Sequence, residues 1–148
     1  MFTQASSASA VPQTTLTAKR YVKHWHEIPY DELFDGPTLT RARVYNTYAG
    51  DLDGESWEEY LLVCQANNAR SFVSLERFVG SLYGRVGSFV MRGVGTYENG
   101  VARVQLTIVP GSGTGELTGL RGQGAFVGAK GRPSTLTLGC ELSNQLSF

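Results

Sequence analysis

The chain has 148 residues, 41% of them hydrophobic, and its thirteen basic and thirteen acidic side chains cancel at neutral pH. A chain of this length buries roughly 70% of its unfolded surface in one core and is too short for two ordinary domains. Balanced charge without long runs of either sign argues against nucleic-acid or membrane-surface partners, and no window approaches the ~20 apolar residues of a spanning helix.

Residues 1–14 include Ala8-Ser9-Ala10, which resembles a signal-peptidase site, but the basic start and the apolar run of ~7 to 15 residues that a signal needs are missing. The expectation is a disordered arm over 1–14, then a single domain over 15–148, in a cytoplasmic protein. Two cysteines, Cys64 and Cys140, make no disulfide framework and are expected to be free.

From Leu16 onward, stretches rich in Thr, Val, Tyr and Phe alternate with Gly, Pro, Asn or Asp, the pattern of strands joined by short turns. Eight strands are predicted: Leu16–Glu27, Leu39–Tyr48, Ser56–Gln65, Ser71–Leu82, Val86–Tyr97, Val101–Val109, Gly119–Phe126 and Ser134–Leu142. Asn67-Asn68, Tyr83-Gly84-Arg85 and Glu98-Asn99-Gly100 are hairpin-sized connections, which implies sequential antiparallel pairing. The longer link Ile28–Thr38 is expected to carry a helical turn at Tyr30–Leu33 before Asp35-Gly36-Pro37 ends it. Such a chain is read as all-β, an eight-stranded antiparallel up-and-down barrel, because closure removes exposed edges. A two-sheet sandwich is the alternative. Apolar residues on both strand faces imply a homo-oligomer.

An eight-stranded barrel is either filled by side chains or holds one small ligand. On the third strand Glu55, Trp57, Glu59, Leu61 and Val63 share one face, and Ser56, Glu58, Tyr60, Leu62 and Cys64 share the other. On the fourth, Phe72, Ser74, Glu76 and Phe78 oppose Val73, Leu75, Arg77 and Val79. Both faces are equally apolar, so parity alone leaves inside and outside open.

The stretch Val109–Phe126, VPGSGTGELTGLRGQGAF, looks at first like a phosphate loop. A dinucleotide fingerprint would need glycine at Glu116, Thr118 or Val127, and no Gly-Lys pair precedes Ser or Thr. Nor is a helical pattern present to offer its N-terminus to an anion. The glycines are read as bends and close approaches within a small barrel. His24 and His26 lack a third ligand at familiar spacing, so no metal is expected, and they are placed on the surface with Trp25 and Glu27 turned inward. No Gly-x-Ser-x-Gly elbow is present. Isolated carboxylates remain: Glu27, Glu55 and Glu76. In a dry cavity such a group has a raised pKa and serves as general acid, base or hydrogen-bond donor; the structural alternative is a buried ion pair, such as Glu76 with Arg85 or Arg103.

Gly50-Asp51-Leu52-Asp53-Gly54-Glu55-Ser56, Leu75-Glu76-Arg77-Phe78-Val79-Gly80, Gly84-Arg85-Val86-Gly87-Ser88-Phe89-Val90 and Val109–Leu117 closely resemble motifs of the bacterial domain-of-unknown-function family 3224, over Leu16 to about Leu142. That family resembles the allene oxide cyclase barrel, whose glycine-rich turn is similar. The resemblance implies an apolar molecule held in the lumen and, by analogy, a ring closure steered by shape and a glutamate; Glu27 falls nearest that glutamate. With Glu76 from the reading of its own strand face, the catalytic candidates are Glu27 and Glu76. The expected ligand contacts are Trp25, Glu55, Tyr60, Phe72, Phe78, Phe89 and Arg92, with no cofactor. One departure is evident: the family often has Gln-His-Ser-Gly where this chain has Arg92-Gly93-Val94-Gly95, so no histidine role carries over there.

Overall fold

Chain segments that alternate small or polar residues with branched and aromatic ones fit a pleated, half-buried surface. The computed structural model describes residues 13–142, and such segments become strands throughout. In chain order they are β1 (Thr14–Asp31), β2 (Thr38–Gly50), β3 (Leu52–Cys64), β4 (Arg70–Leu82), β5 (Arg85–Glu98), β6 (Val101–Ile108), β7 (Thr114–Gly115), β8 (Leu120–Ala129) and β9 (Ser134–Leu142). Eight of them pair in the order β4-β3-β2-β1-β9-β8-β6-β5, and β4 pairs with β5 to close the ring. Every pairing is antiparallel. This is the eight-stranded up-and-down barrel expected from the sequence. The two-residue β7 merely tacks a loop to β5 at Gly87 and Ser88.

The tight turns explain the register. Pairing of Leu82 with Arg85 and of Glu98 with Val101 leaves two-residue loops. Their central residues, Tyr83-Gly84 and Asn99-Gly100, all have positive φ, at 50°, 80°, 53° and 80°. That is the type I′ geometry whose twist matches the flanking strands. Two expectations need correction. β1 runs as strand to Asp31, and the chain then turns at Phe34–Gly36, so Tyr30–Leu33 form no helical turn. β2 runs on to Gly50 and β3 already starts at Leu52, four residues before the expected Ser56, so the two strands are joined by a tight turn at Asp51. The arm expected over 1–14 lies outside the described residues except for its last two positions, and Thr14 already opens β1. Among the described residues no helix is long and apolar enough to cross a membrane.

The glycine-rich segment forms the floor of the barrel. Between β6 and β8 it crosses the end where β5 begins, and it drives Leu117, fully buried, up against the core. Four of its amides are already used: Ser112 N donates to Val109 O, Glu116 N to Val86 O, Leu117 N to Thr114 O and Thr118 N to Gly115 O, so these are not offered to an anion. A Cβ at Gly113 would strike the carbonyl of Leu117, so the close approach itself requires glycine there. Above this floor Leu52, Phe78, Leu82, Phe89, Met91, Ile108 and Leu120 fill the lumen, and the Phe78 and Phe89 rings lie 5.2 Å apart.

A buried polar layer and a charged rim

Above the aromatic floor the inward positions of β1 to β4 change character. Arg20, Asn46, Ser56, Glu58, Ser74 and Glu76 are all buried, with at most 4% exposure. They gather because strand register places Arg20 beside Tyr48, and Glu58 directly opposite Glu76. Directly opposed residues on one face have Cβ atoms only about 4.5 to 5.5 Å apart, so two carboxylates are forced together inside the barrel.

The Arg20 Nη2 donates to Glu58 Oε1 at 2.8 Å and to the Tyr60 hydroxyl at 3.2 Å, while its guanidinium lies 4.6 Å from the Phe126 ring centre. Asn46 Nδ2 bridges the carboxylates, at 3.0 Å from Glu58 Oε1 and 3.3 Å from Glu76 Oε2. Glu76 Oε2 also accepts from the Tyr48 hydroxyl at 2.6 Å and from Ser56 Oγ at 2.5 Å. Burial, and then the facing Glu58, outweigh Arg20 and these hydrogen bonds, and raise the Glu76 pKa to about 7. Burial, with Glu76 next, also raises Tyr48 well above its ordinary value, so its hydroxyl remains a donor. Four atoms of the layer have no protein partner: Arg20 Nε, Asn46 Oδ1, Ser74 Oγ and Glu76 Oε1.

At the opposite end from the floor, the rim holds a carboxylate of the opposite kind. Glu27 accepts from Arg70 Nη1 at 2.9 and 3.1 Å, from Thr40 Oγ1 at 2.7 Å and from the Trp25 indole at 2.9 Å. Burial alone would raise its pKa, but the bonds from Thr40, Trp25 and Arg70 prevail and lower it. Glu27 is a fixed anion with its lone pairs occupied. The Trp25 ring reaches over the mouth to 5.1 Å from Tyr60, which meets Phe72 edge-on at 5.2 Å.

The residues singled out in the sequence therefore divide. Trp25, Glu27, Tyr60, Phe72 and Glu76 face inward from the mouth down to the polar layer, and Phe78 and Phe89 are sealed in the floor. Glu55 and Arg92 stand apart, a correction to their placement in the lumen. Parity decides it: Ser56 and Glu58 point inward on β3, and Phe89 and Met91 on β5, so Glu55 and Arg92 are exposed on the outer wall. There Glu55 accepts from the Tyr45 hydroxyl. The interior ion pair is Arg20–Glu58, and Arg103 points outward, so the pairing of Glu76 with Arg103 does not form. Arg20, Asn46, Tyr48, Ser56 and Glu58 were not recognised from the sequence as a group. A legible signal exists: Ser56-x-Glu58-x-Tyr60 and Ser74-x-Glu76-x-Phe78 carry the same spacing on adjacent strands. Cys64 and Cys140 are unpaired, and His24 and His26 are exposed.

The family model described as a protein of unknown function, DUF3224, matches residues 16–139. The chain belongs to the DUF3224 family. It is similar to a DUF3224 protein of unknown function from Shewanella oneidensis MR-1, whose crystal structure superposes with a TM-score of 0.71 at 30% identity, covering 87% of this chain and 97% of that one. No curated protein matches the chain. The DUF3224 match spans β1 to the end region of β9, and so includes every residue of the polar layer and the rim.

Proposed function

We propose that the barrel binds a small, largely apolar molecule at the mouth end of its lumen, with a neutral hydrogen-bonding head turned toward the polar layer. One observation carries this reading: four buried polar atoms, Arg20 Nε, Asn46 Oδ1, Ser74 Oγ and Glu76 Oε1, have no protein partner. Leaving such atoms unsatisfied costs about 1 to 3 kcal/mol each, which a purely structural barrel would avoid by packing apolar groups there. Trp25, at 42% exposure, is the point where a ligand first meets the inner aromatic surface of Tyr60 and Phe72.

A catalytic form of the same reading, an isomerase or cyclase, is favoured by Glu76. A group with a pKa near 7 exchanges a proton readily at neutral pH and can donate to or accept from a carbonyl compound. Glu27, held ionised at the rim, orients Trp25 through their hydrogen bond and is poorly suited to move a proton. The alternative is a filled barrel that acts as a scaffold, with ordered water on the four atoms. The two unpaired cysteines suit a reducing, cytoplasmic setting.

The test is a titration with 2-decanone, decan-1-ol and decanoate, followed by Trp25 fluorescence, by methyl NMR of Val44, Leu62 and Leu136, and by melting temperature. The ketone and alcohol are expected to shift these signals and raise the melting temperature, and decanoate to do neither, because Glu58 and Glu76 oppose a further anion. Silence at Trp25 and at all three methyl sites up to the solubility limit would leave only the scaffold.

A further inference from the structure

The outer wall of β3, β4 and β5 carries apolar side chains that the barrel does not use. Trp57, Leu61, Val73, Leu75, Val79 and Val94 are each 48–58% exposed. Register sets them side by side: Leu61, Val73 and Val94 form one row across the three strands; Glu59, Leu75 and Arg92 form the next; and Trp57, Arg77 and Val90 the third. A contiguous patch of this kind is unusual on a monomer. The anchors are held in place before any partner arrives. Tyr45 packs on Trp57 with ring centres 4.7 Å apart, and Arg43 Nε grips Glu59 Oε2 at 2.5 Å. Between Arg43, Trp57 and Glu59 lies an open hollow of about 360 Å³.

We propose that this face packs against the same face of a second copy of the chain, about a two-fold axis running along β4. Charge selects both the partner and the axis. A two-fold axis along β4 lays β3 of one copy on β5 of the other within the same row, so Glu59 meets the other copy's Arg92, Leu61 meets Val94 and Leu75 meets itself. Arg77, also on β4, meets the other copy's Arg77, one like-charge contact set against two Glu59–Arg92 pairs. An axis across the strands would instead set Glu59 against Glu59 and Arg92 against Arg92. Among the described residues Arg92 makes no ion pair within its own chain, and the hollow beside Trp57 and Glu59 offers it a carboxylate and an aromatic face. On the convex wall β4 presents Val73, Leu75, Arg77 and Val79, and the flanking strands carry Trp57, Glu59, Leu61 and Arg92, where two curved walls separate.

Sedimentation velocity of the full chain tests this between about 1 and about 100 µM, where a self-association of this size is visible. A dimer is expected. Leu75→Asp, on an exposed site, should weaken it by about 30-fold or more with an unchanged melting temperature of the separated chain. Arg92→Glu and Glu59→Arg should each weaken it by about 10-fold, and the double exchange should restore affinity to within about 3-fold. A wild-type chain that stays monomeric throughout the range, a Leu75→Asp variant that dimerises as before, or a double exchange that fails to recover would each overturn the proposal. In the first case the face serves a different partner or none.

Discussion

Glu27 and Glu76 face the same lumen from strands of the same barrel, yet their surroundings move them in opposite directions. At the rim, Glu27 meets a guanidinium, a hydroxyl and an indole N–H, and is held as an anion. In the middle layer, Glu76 meets a second carboxylate across the strand pair, and the nearest cation is already engaged by that carboxylate. Two things separate them: Glu76 is fully buried where Glu27 is only partly so, and strand register gives each a different partner. A carboxylate opposite a cation becomes architecture, whereas one opposite another carboxylate retains a proton close to neutral pH.

The sharpest way to break this contrast is to remove the cation from the middle layer. Arg20→Met leaves Glu58 buried without its partner and should cost about 3 to 5 kcal/mol, read as a lowered urea midpoint at pH 7. The matching change at the rim, Arg70→Met, should cost about 1 kcal/mol, because that pair is partly solvated.

Removing the charge at Glu76 separates the sites further. Its folded pKa of about 7 lies above the unfolded value of about 4.3, so the native state binds more protons between those values. Stability from this group is fully present below the unfolded pKa and is lost as pH rises through the folded one. Relative to Glu76→Gln, the wild type should lose about 3 kcal/mol between pH 4 and pH 8. Denaturant melts of both proteins across that range measure the difference. A flat difference would mean that Glu76 titrates normally.

Glu27→Gln should show the reverse slope at smaller amplitude. Its folded pKa is lowered, so its contribution is present above the unfolded value and disappears as pH falls through the folded one. The wild type should exceed Glu27→Gln by about 1 kcal/mol at pH 7, and the gap should close in acid.

The barrel was legible in the sequence because its turns are local chemistry. Asn99-Gly100 and Gly84 sit where positive φ is required, and they announce hairpins without reference to the rest of the chain. The facing of the strands was not legible. On β3, Trp57, Leu61 and Val63 make the outer face as apolar as the inner one, so Glu55 read as a lumen residue, and Arg92 followed from the same ambiguity on β5. The polar layer was harder still. Each of β1 to β4 contributes only one or two of its members, at positions 20, 46, 48, 56, 58, 74 and 76, and only the pairing of all four strands assembles them. An apolar stripe announces itself along one strand, but a network exists only across several.

Most directly at stake is whether Glu76 holds its proton near neutrality because it is buried and faces Glu58. A carbon-detected NMR titration of the side-chain carboxyls in the intact protein answers this residue by residue. Glu76 should titrate with a midpoint near 7 and move down when Glu58 is replaced by Gln, while burial keeps it above the ordinary value of about 4.3 and Glu27 stays below that value throughout. A Glu76 carboxyl already ionised at pH 5 in the wild type would contradict the account.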